Sequence, residues 1–152
     1  MSIKRVIPNL FTLGNLACGS VAILLLFHPG RMSDITMAWT IAALMVAAML
    51  FDFADGFVAR LLKVASPIGK QLDSLADMVS FGLLPGILIY YVLYSQVIGA
   101  GEFPEAFSTE FLPRSWVEHA KWYEQLLPYV GLLIPLFSAY RLAKFNVDER
   151  SG

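Results

Sequence analysis

The chain has 152 residues, of which 57% are apolar and only 15% are charged, against about 25% charged in an ordinary soluble domain. The mean hydropathy of +0.64 reflects long apolar runs that a core of this size cannot hide from water, which argues against a soluble fold. A net charge of −1, without a basic patch interleaved with aromatic residues, argues against nucleic-acid binding.

Apolar runs of about 20 residues, the length that crosses the hydrocarbon core, predict four membrane-spanning helices. In chain order they cover residues 8–27, 35–62, 72–98 and 123–145. Pro8 is expected in the opening turn of the first helix, where its missing N–H costs nothing. The acidic stretch 99–122 is expected to be a polar loop. We therefore predict an all-α integral membrane protein with one transmembrane domain over residues 1–152.

Basic residues are divided unequally between the two ends of these helices. One end collects Lys4, Arg5, Arg60, Lys63, Lys70, Arg141, Lys144 and Arg150, whereas the other has only Arg31, Arg114 and Lys121. Cationic loops stay on the cytoplasmic side during membrane insertion. The pattern therefore predicts a multi-pass protein with both termini, and the loop 63–68, in the cytoplasm.

Four aspartates fall within or beside the second and third predicted helices: Asp52, Asp55, Asp73 and Asp77. A carboxylate at the centre of a membrane helix costs about 2.5 to 3.5 kcal/mol, so four unpaired ones would cost about 10 to 14 kcal/mol. That sum is comparable with the net stability of a whole protein. Some other interaction must offset it.

The spacing of these aspartates places them on facing helix surfaces. At 100° per residue, Asp52 and Asp55 share one face of the second helix, while Asp73 and Asp77 align by a step of four on the third. The short intervening loop makes the two helices antiparallel neighbours, so the two pairs should face each other. Oxygen ligands without His or Cys suit Mg²⁺, Mn²⁺ or Ca²⁺, and we predict a site for two ions.

Small and cationic residues beside the aspartates predict a phosphate-bearing substrate. A magnesium ion that aspartate carboxylates bind is usually shared with the phosphates of a substrate. Gly56, Ala59 and Gly69 would let a bulky headgroup approach the main chain, although each would also suit helix packing. Arg60 and Lys70 would neutralise phosphate oxygens.

The run 52–77 reads DxxDGxxAR, eight residues, G, three residues, D, three residues, D. All eight fixed positions match the signature of the CDP-alcohol phosphatidyltransferases, a family that the chain therefore resembles. The resemblance implies a membrane enzyme that uses divalent ions to move a phosphatidyl group from a CDP-linked lipid to an alcohol, releasing CMP. It also implies a homodimer of six-helix bundles. Only four helices are predicted here, so either the sequence is a fragment that lacks the last two helices or a partner completes the bundle.

The resemblance also implies a role for individual residues. Asp52, Asp55, Asp73 and Asp77 would be metal ligands, with Asp77 also the general base and the active site on the cytoplasmic side. Gly56, Ala59, Arg60 and Gly69 fall on the positions that line the CDP pocket.

Two further segments, IPNLFTLGNLACG and SAYRLAKFNV, are similar to the membrane-embedded phosphatidylserine synthases of this family. This similarity implies CDP-diacylglycerol as donor and L-serine as acceptor. It places Asn9, Thr12 and Asn15 at the nucleotide, although helix capping and interhelical hydrogen bonds would equally explain them. Arg141 and Lys70 are candidates for contacting a phosphate or the acceptor. For Arg141, a role as a cytoplasmic anchor at the membrane surface is the alternative explanation.

Other functions are open at this point. The same chemistry would serve glycerol 3-phosphate or inositol phosphate as acceptor. An intramembrane cation carrier would also use aspartates, but it predicts carboxylates near the membrane midplane and an inverted repeat. A purely structural four-helix module predicts that Asp52→Asn or Asp77→Asn has no effect on metal binding or turnover.

Overall fold

The computed structural model describes residues 3–27, 35–64, 66–98 and 126–148, and every regular element in these ranges is helical. The α-helices are α1 (Ile3–Leu26), α2 (Ile35–Leu62), α3 (Pro67–Asp77), α4 (Leu84–Ile98) and α5 (Leu133–Asp148). A π-helical segment, Met78–Leu83, joins α3 to α4 without a break, and a 3₁₀ helix, Leu127–Leu132, precedes α5. The polar loop predicted at 99–122 lies outside the described residues.

Three helices within these ranges are long and apolar enough to cross a membrane: Val6–Leu26, Ile35–Leu62 and the continuous Pro67–Tyr94. Large apolar side chains cover their outer surface, and Trp39 and Phe53 are 71% and 72% exposed. Aromatic groups that are exposed to this extent suit contact with lipid rather than water. The first three predicted spans are therefore confirmed as helices of membrane-spanning length.

The predicted fourth span, 123–145, is less regular. Its described part begins with the 3₁₀ helix that has Pro128 in its first turn, and α5 then contributes 16 residues. A spanning α-helix usually has about 17 to 25 residues. The four-helix count and the six-helix bundle therefore stay predictions.

Two helix starts differ from those expected. Helix α1 begins at Ile3, so Pro8 lies inside the helix and the expectation that it occupies the opening turn is wrong. Helix α3 begins at Pro67, five residues before the predicted start at 72. The Ser66 hydroxyl caps it by accepting from the Gly69 N–H at 2.9 Å, and Pro67 suits the first turn because it has no N–H to satisfy.

A tight turn reverses the chain between α2 and α3. Lys63 adopts a left-handed conformation with φ of 53°, and the Val64 N–H donates to the Ala59 carbonyl at 3.1 Å. This arrangement satisfies a carbonyl at the end of α2 that would otherwise lack a partner. As a result the C-terminal half of α2 and the N-terminal half of α3 lie at the same end of the bundle as the start of α1.

The bundle has an apolar half and a polar half. Ala22, Leu26, Met37, Ile41 and Leu84 form a buried apolar cluster from the end of α1, the start of α2 and the start of α4. The buried polar side chains of Thr12, Asn15, Asp55 and Ser80 occupy the other half. Polar groups inside a membrane helix bundle are unfavourable unless they are paired, so the polar half is the candidate site.

Candidate metal and nucleotide site

Three of the four predicted aspartates meet at one point. One carboxylate oxygen from each of Asp52, Asp55 and Asp73 lies within 4.8 Å of the other two. Oxygen ligands on opposite sides of one Mg²⁺ or Ca²⁺ lie about 4 to 5 Å apart, because each metal–oxygen bond is about 2.1 to 2.5 Å. The cluster therefore has the spacing of a shared hard cation.

The environment of these oxygens also fits a cation. Asp73 Oδ1 is buried and has no hydrogen-bond partner in the described part of the chain. Three negative groups this close repel one another, and burial strengthens the repulsion because little water screens it. A divalent ion would supply both the missing partner and the opposite charge, so the residues present fit the predicted metal.

Thr12 on α1 supports this cluster. Its hydroxyl donates to Asp55 Oδ2 at 2.5 Å and also lies 3.2 Å from the Pro8 carbonyl oxygen. Both Thr12 and Asp55 are buried, so the hydrogen bond holds the carboxylate in one orientation without contributing charge. Such groups behind a ligand fix its geometry.

We expect Thr12→Val to weaken Mn²⁺ binding by about tenfold or more while the protein still folds, because valine keeps the volume and loses only the donor. Isothermal titration of the purified protein with Mn²⁺ measures the change. Thr40→Val is the matched control, since Thr40 is an exposed residue of α2 whose hydroxyl donates to the Thr36 carbonyl within the same helix. Equal affinities for the wild type and Thr12→Val would contradict the supporting role.

Asp77 lies beside the cluster rather than within it. It is the last residue of α3, and its side chain is within hydrogen-bonding reach of Asp52. Its Oδ1 accepts a hydrogen bond from Asn15 Nδ2 at 3.2 Å. All four predicted aspartates therefore lie together, and Asp77 differs from the others in accepting a hydrogen bond from the neutral amide of Asn15.

A cavity of about 400 Å³ adjoins the cluster, a size within the range of small-molecule sites. Asn15, which was also predicted at the nucleotide, is not among the described residues that line the cavity. The other six residues predicted to contact the CDP-lipid do line it, together with Lys70: Asn9, Thr12, Gly56, Ala59, Arg60 and Gly69. Asp55 and Asp73 form part of its wall. Arg141 is exposed and is not among the lining residues that the structure describes, so its predicted acceptor contact stays a prediction.

The two motif glycines differ in what surrounds them. A Cβ added to Gly56 would meet nothing within 4 Å, although the residue lines the cavity. A Cβ added to Gly69 would lie 2.9 Å from both Asn9 Oδ1 and Ser66 Oγ. At Gly69 the main chain of α3 thus lies close to the Asn9 side chain of α1, whereas Gly56 leaves open space in the cavity wall.

The end of α5 contributes residues that the motif does not identify. Phe145 lines the cavity, and the Lys70 ammonium lies 5.0 Å from the centre of its ring. Asn146 Nδ2 donates to the hydroxyl of Ser74 at 2.9 Å, and Ser74 directly follows Asp73 in the chain. The only sequence signal for this contribution is the resemblance of segment 138–147.

The model of the CDP-alcohol phosphatidyltransferase family matches residues 5–145. The chain belongs to this family, and it is a multi-pass membrane protein with at least the three spanning helices described above.

Among curated proteins, it is 31% identical over 148 residues to the CDP-diacylglycerol–serine O-phosphatidyltransferase of Bacillus subtilis (strain 168), covering 94% of this chain and 62% of that protein. It is 30% identical over 146 residues to the protein of the same name from Helicobacter pylori (strain J99), covering 95% of this chain and 47% of the relative. The Saccharomyces cerevisiae protein of that name is 52% identical over 44 residues, which cover 29% of this chain and 16% of the relative. The chain thus spans about half to three-fifths of the first two relatives, and no solved structure matches it significantly.

Proposed function

We propose that the protein transfers the phosphatidyl group of CDP-diacylglycerol to L-serine, giving phosphatidylserine and CMP. The observation that carries the proposal is the three-aspartate cluster in the wall of a cavity that Arg60 and Lys70 also line. Anionic and cationic groups around one cavity suit a diphosphate bound together with divalent ions. The acceptor is proposed from the names of the relatives.

The cavity side chains would bind the donor. Gly56 leaves room for the nucleotide against the main chain of α2. Arg60 presents a planar guanidinium that can bind phosphate oxygens in a bidentate manner, and Lys70 adds a second positive charge. These groups would orient the diphosphate beside the acidic cluster.

We propose that Asp52, Asp55, Asp73 and Asp77 hold two divalent ions, Mg²⁺ or Mn²⁺, with Ca²⁺ as a further occupant. The ions, when bound, supply positive charge that stabilises the reacting phosphates. The spacing of the first three carboxylates and the unpaired Asp73 Oδ1 support this assignment.

Asp77 would act as the general base. The serine hydroxyl oxygen bonds to the phosphorus that bears the diacylglycerol, and the bond from that phosphorus to the oxygen of the leaving CMP breaks. The hydroxyl proton passes to Asp77, which lies beside the acidic cluster on the Asn15 side. Transfer in one displacement needs no covalent enzyme intermediate.

We further propose that the fourth segment completes a spanning helix and that the complete protein is a homodimer of six-helix bundles. We also propose that both termini and the site face the cytoplasm. The excess of Lys and Arg at the site end of the helices supports this orientation. Labelling of cysteines introduced at the two ends of α2, in sealed vesicles, measures it.

The test of the function is release of CMP by the complete protein, supplied with CDP-diacylglycerol, Mn²⁺ and one acceptor at a time. We expect release with L-serine and little with glycerol 3-phosphate or inositol phosphate. Release with another acceptor alone would reassign the substrate. Metal flux into liposomes without CMP release from any acceptor would overturn the proposal in favour of a cation carrier.

Arg60→Lys is expected to lower kcat/KM for CDP-diacylglycerol by about 10- to 100-fold, because an ammonium cannot replace a bidentate guanidinium and a charged hydrogen bond contributes about 1.5 to 3 kcal/mol. Steady-state kinetics at varied CDP-diacylglycerol measure this. Lys63→Arg on the adjacent turn, outside the cavity lining, is the control for changes of cationic group at this surface. Unchanged kinetics in Arg60→Lys would remove Arg60 from the site.

Asp77→Asn is expected to lower kcat by about 10² to 10⁴ while CDP-diacylglycerol binding is partly kept, since the base is needed only in the reaction. Single-turnover CMP release and equilibrium binding of the CDP-lipid separate these effects. A loss of binding as large as the loss of rate would count against the role as base.

A further inference from the structure

Asn15 occupies an unusual position for a polar side chain. It lies in the middle of α1, a membrane-spanning helix, and is completely buried. Its Oδ1 has no hydrogen-bond partner in the described part of the chain. An apolar residue would fill this position at lower cost in a membrane helix, so packing alone does not explain an amide here.

The side-chain hydrogen bond that the structure shows for Asn15 goes to the proposed base. Asn15 Nδ2 donates to Asp77 Oδ1 at 3.2 Å, across the contact between α1 and α3. This neutral donor engages Oδ1, and the Asp77 side chain also lies within hydrogen-bonding reach of Asp52. Asn15 is not among the described residues that line the cavity, in contrast to the expectation that it contacts the nucleotide.

The main chain around Asn15 is anchored as well. The Ser80 hydroxyl, in the π-helical segment that starts directly after Asp77, donates to the Asn15 carbonyl oxygen at 3.1 Å. A Cβ on Gly19 would clash with this same serine. The π segment therefore approaches α1 closely, and the positions of Asn15 and Asp77 are set relative to each other from both sides.

We propose that Asn15 is a positioning residue for the transfer reaction: its amide holds Oδ1 of Asp77 and thereby fixes the orientation of the carboxylate that accepts the proton of the acceptor hydroxyl. This inference rests on the proposed function. It assigns to Asn15, a residue outside the Asp52–Asp77 motif, the role of orienting the carboxylate that accepts the proton. Asn15 acts through Asp77 and does not itself contact the CDP-lipid.

The test compares kcat with KM in the complete protein with CDP-diacylglycerol, L-serine and Mn²⁺. Asn15→Leu removes the donor, and Asn15→Ala removes it with a smaller uncharged side chain. We expect kcat to fall at least tenfold in both variants, with KM for CDP-diacylglycerol changed less than twofold. Thr40→Val, which removes an exposed hydroxyl at the other end of α2, should stay within threefold of the wild-type kcat.

Asn15→Ala also covers the case in which Asn15→Leu does not fold, because it adds neither volume nor charge at this buried position. Unchanged kcat in both variants, or a rise in KM as large as the fall in kcat, would overturn the positioning role. A wild-type protein that releases no CMP with any acceptor would instead overturn the proposed function, and the inference with it. An active wild type with fully active Asn15 variants overturns the inference alone.

Discussion

Asp55→Asn should abolish measurable transfer, with a fall in turnover of about 10³ or more. Asp55 is the most buried member of the three-carboxylate cluster, and the substitution removes a negative ligand without changing the side-chain shape. A divalent ion contributes several kcal/mol of charge stabilisation to the reacting phosphates, and each 1.4 kcal/mol is about tenfold in rate. CMP release by the complete protein measures the loss.

The same variant has a readout that does not depend on activity. Saturating Mn²⁺, at about 100 times its Kd, should stabilise the wild-type protein by about 2.7 kcal/mol and raise its melting temperature. Asp55→Asn should lose most of this shift, while its metal-free form should be at least as stable as the wild type because one of three repelling charges is gone.

Thr40→Val, at the other end of α2, should keep both the activity and the Mn²⁺ shift. A full Mn²⁺ shift in Asp55→Asn would refute the metal assignment. Treatment of the wild type with a chelator should stop CMP release, and added Mn²⁺ should restore it.

Gly56→Leu should weaken binding of CDP-diacylglycerol without unfolding the protein. Nothing lies within 4 Å of a Cβ at this position, so the leucine side chain would extend into the cavity and not into a neighbouring helix. Overfilling a site costs about 1 to 3 kcal/mol, which weakens binding by about 10- to 100-fold. Equilibrium binding of the CDP-lipid and the melting temperature separate the two effects.

Gly69→Ala is the matched variant, since it changes the other motif glycine. Its Cβ would lie 2.9 Å from two polar oxygens, on Asn9 and Ser66, so we expect a lower melting temperature. A destabilised Gly56→Leu with normal CDP-lipid affinity would show that Gly56 is also a packing residue. Comparison of the two glycines thus tests whether the cavity is the donor site.

Much of this protein was predictable because the membrane restricts what a sequence can do. An apolar run of about 20 residues has to form a helix in lipid, where every main-chain group needs an internal partner. Spans one to three follow from this rule alone. The four aspartates were identified for the same reason, since carboxylates in a membrane helix are unfavourable without a function.

Helix ends were predicted less well, because local side chains decide them. The Ser66 cap and Pro67 extend α3 toward its N-terminus, past Gly69, and α1 tolerates Pro8 one turn inside its start. Apolar periodicity carries no information about such capping. The 3₁₀ segment 127–132 before α5 also packs closely against α4, where a Cβ on Gly131 would lie 2.5 Å from the Gly86 carbonyl oxygen.

By itself, then, the sequence determined the helical membrane class, the acidic residues that could hold a metal ion and the membership of Asp52 to Asp77 in one motif. These depend on composition and on spacing along single helices. Only the tertiary structure decided which groups meet across helices. It separated Gly56 from Gly69, placed Thr12 on Asp55 and Asn15 on Asp77, and brought Phe145 to the cavity. Contacts of this kind depend on the rotation and register of one helix against another, which no single helix specifies.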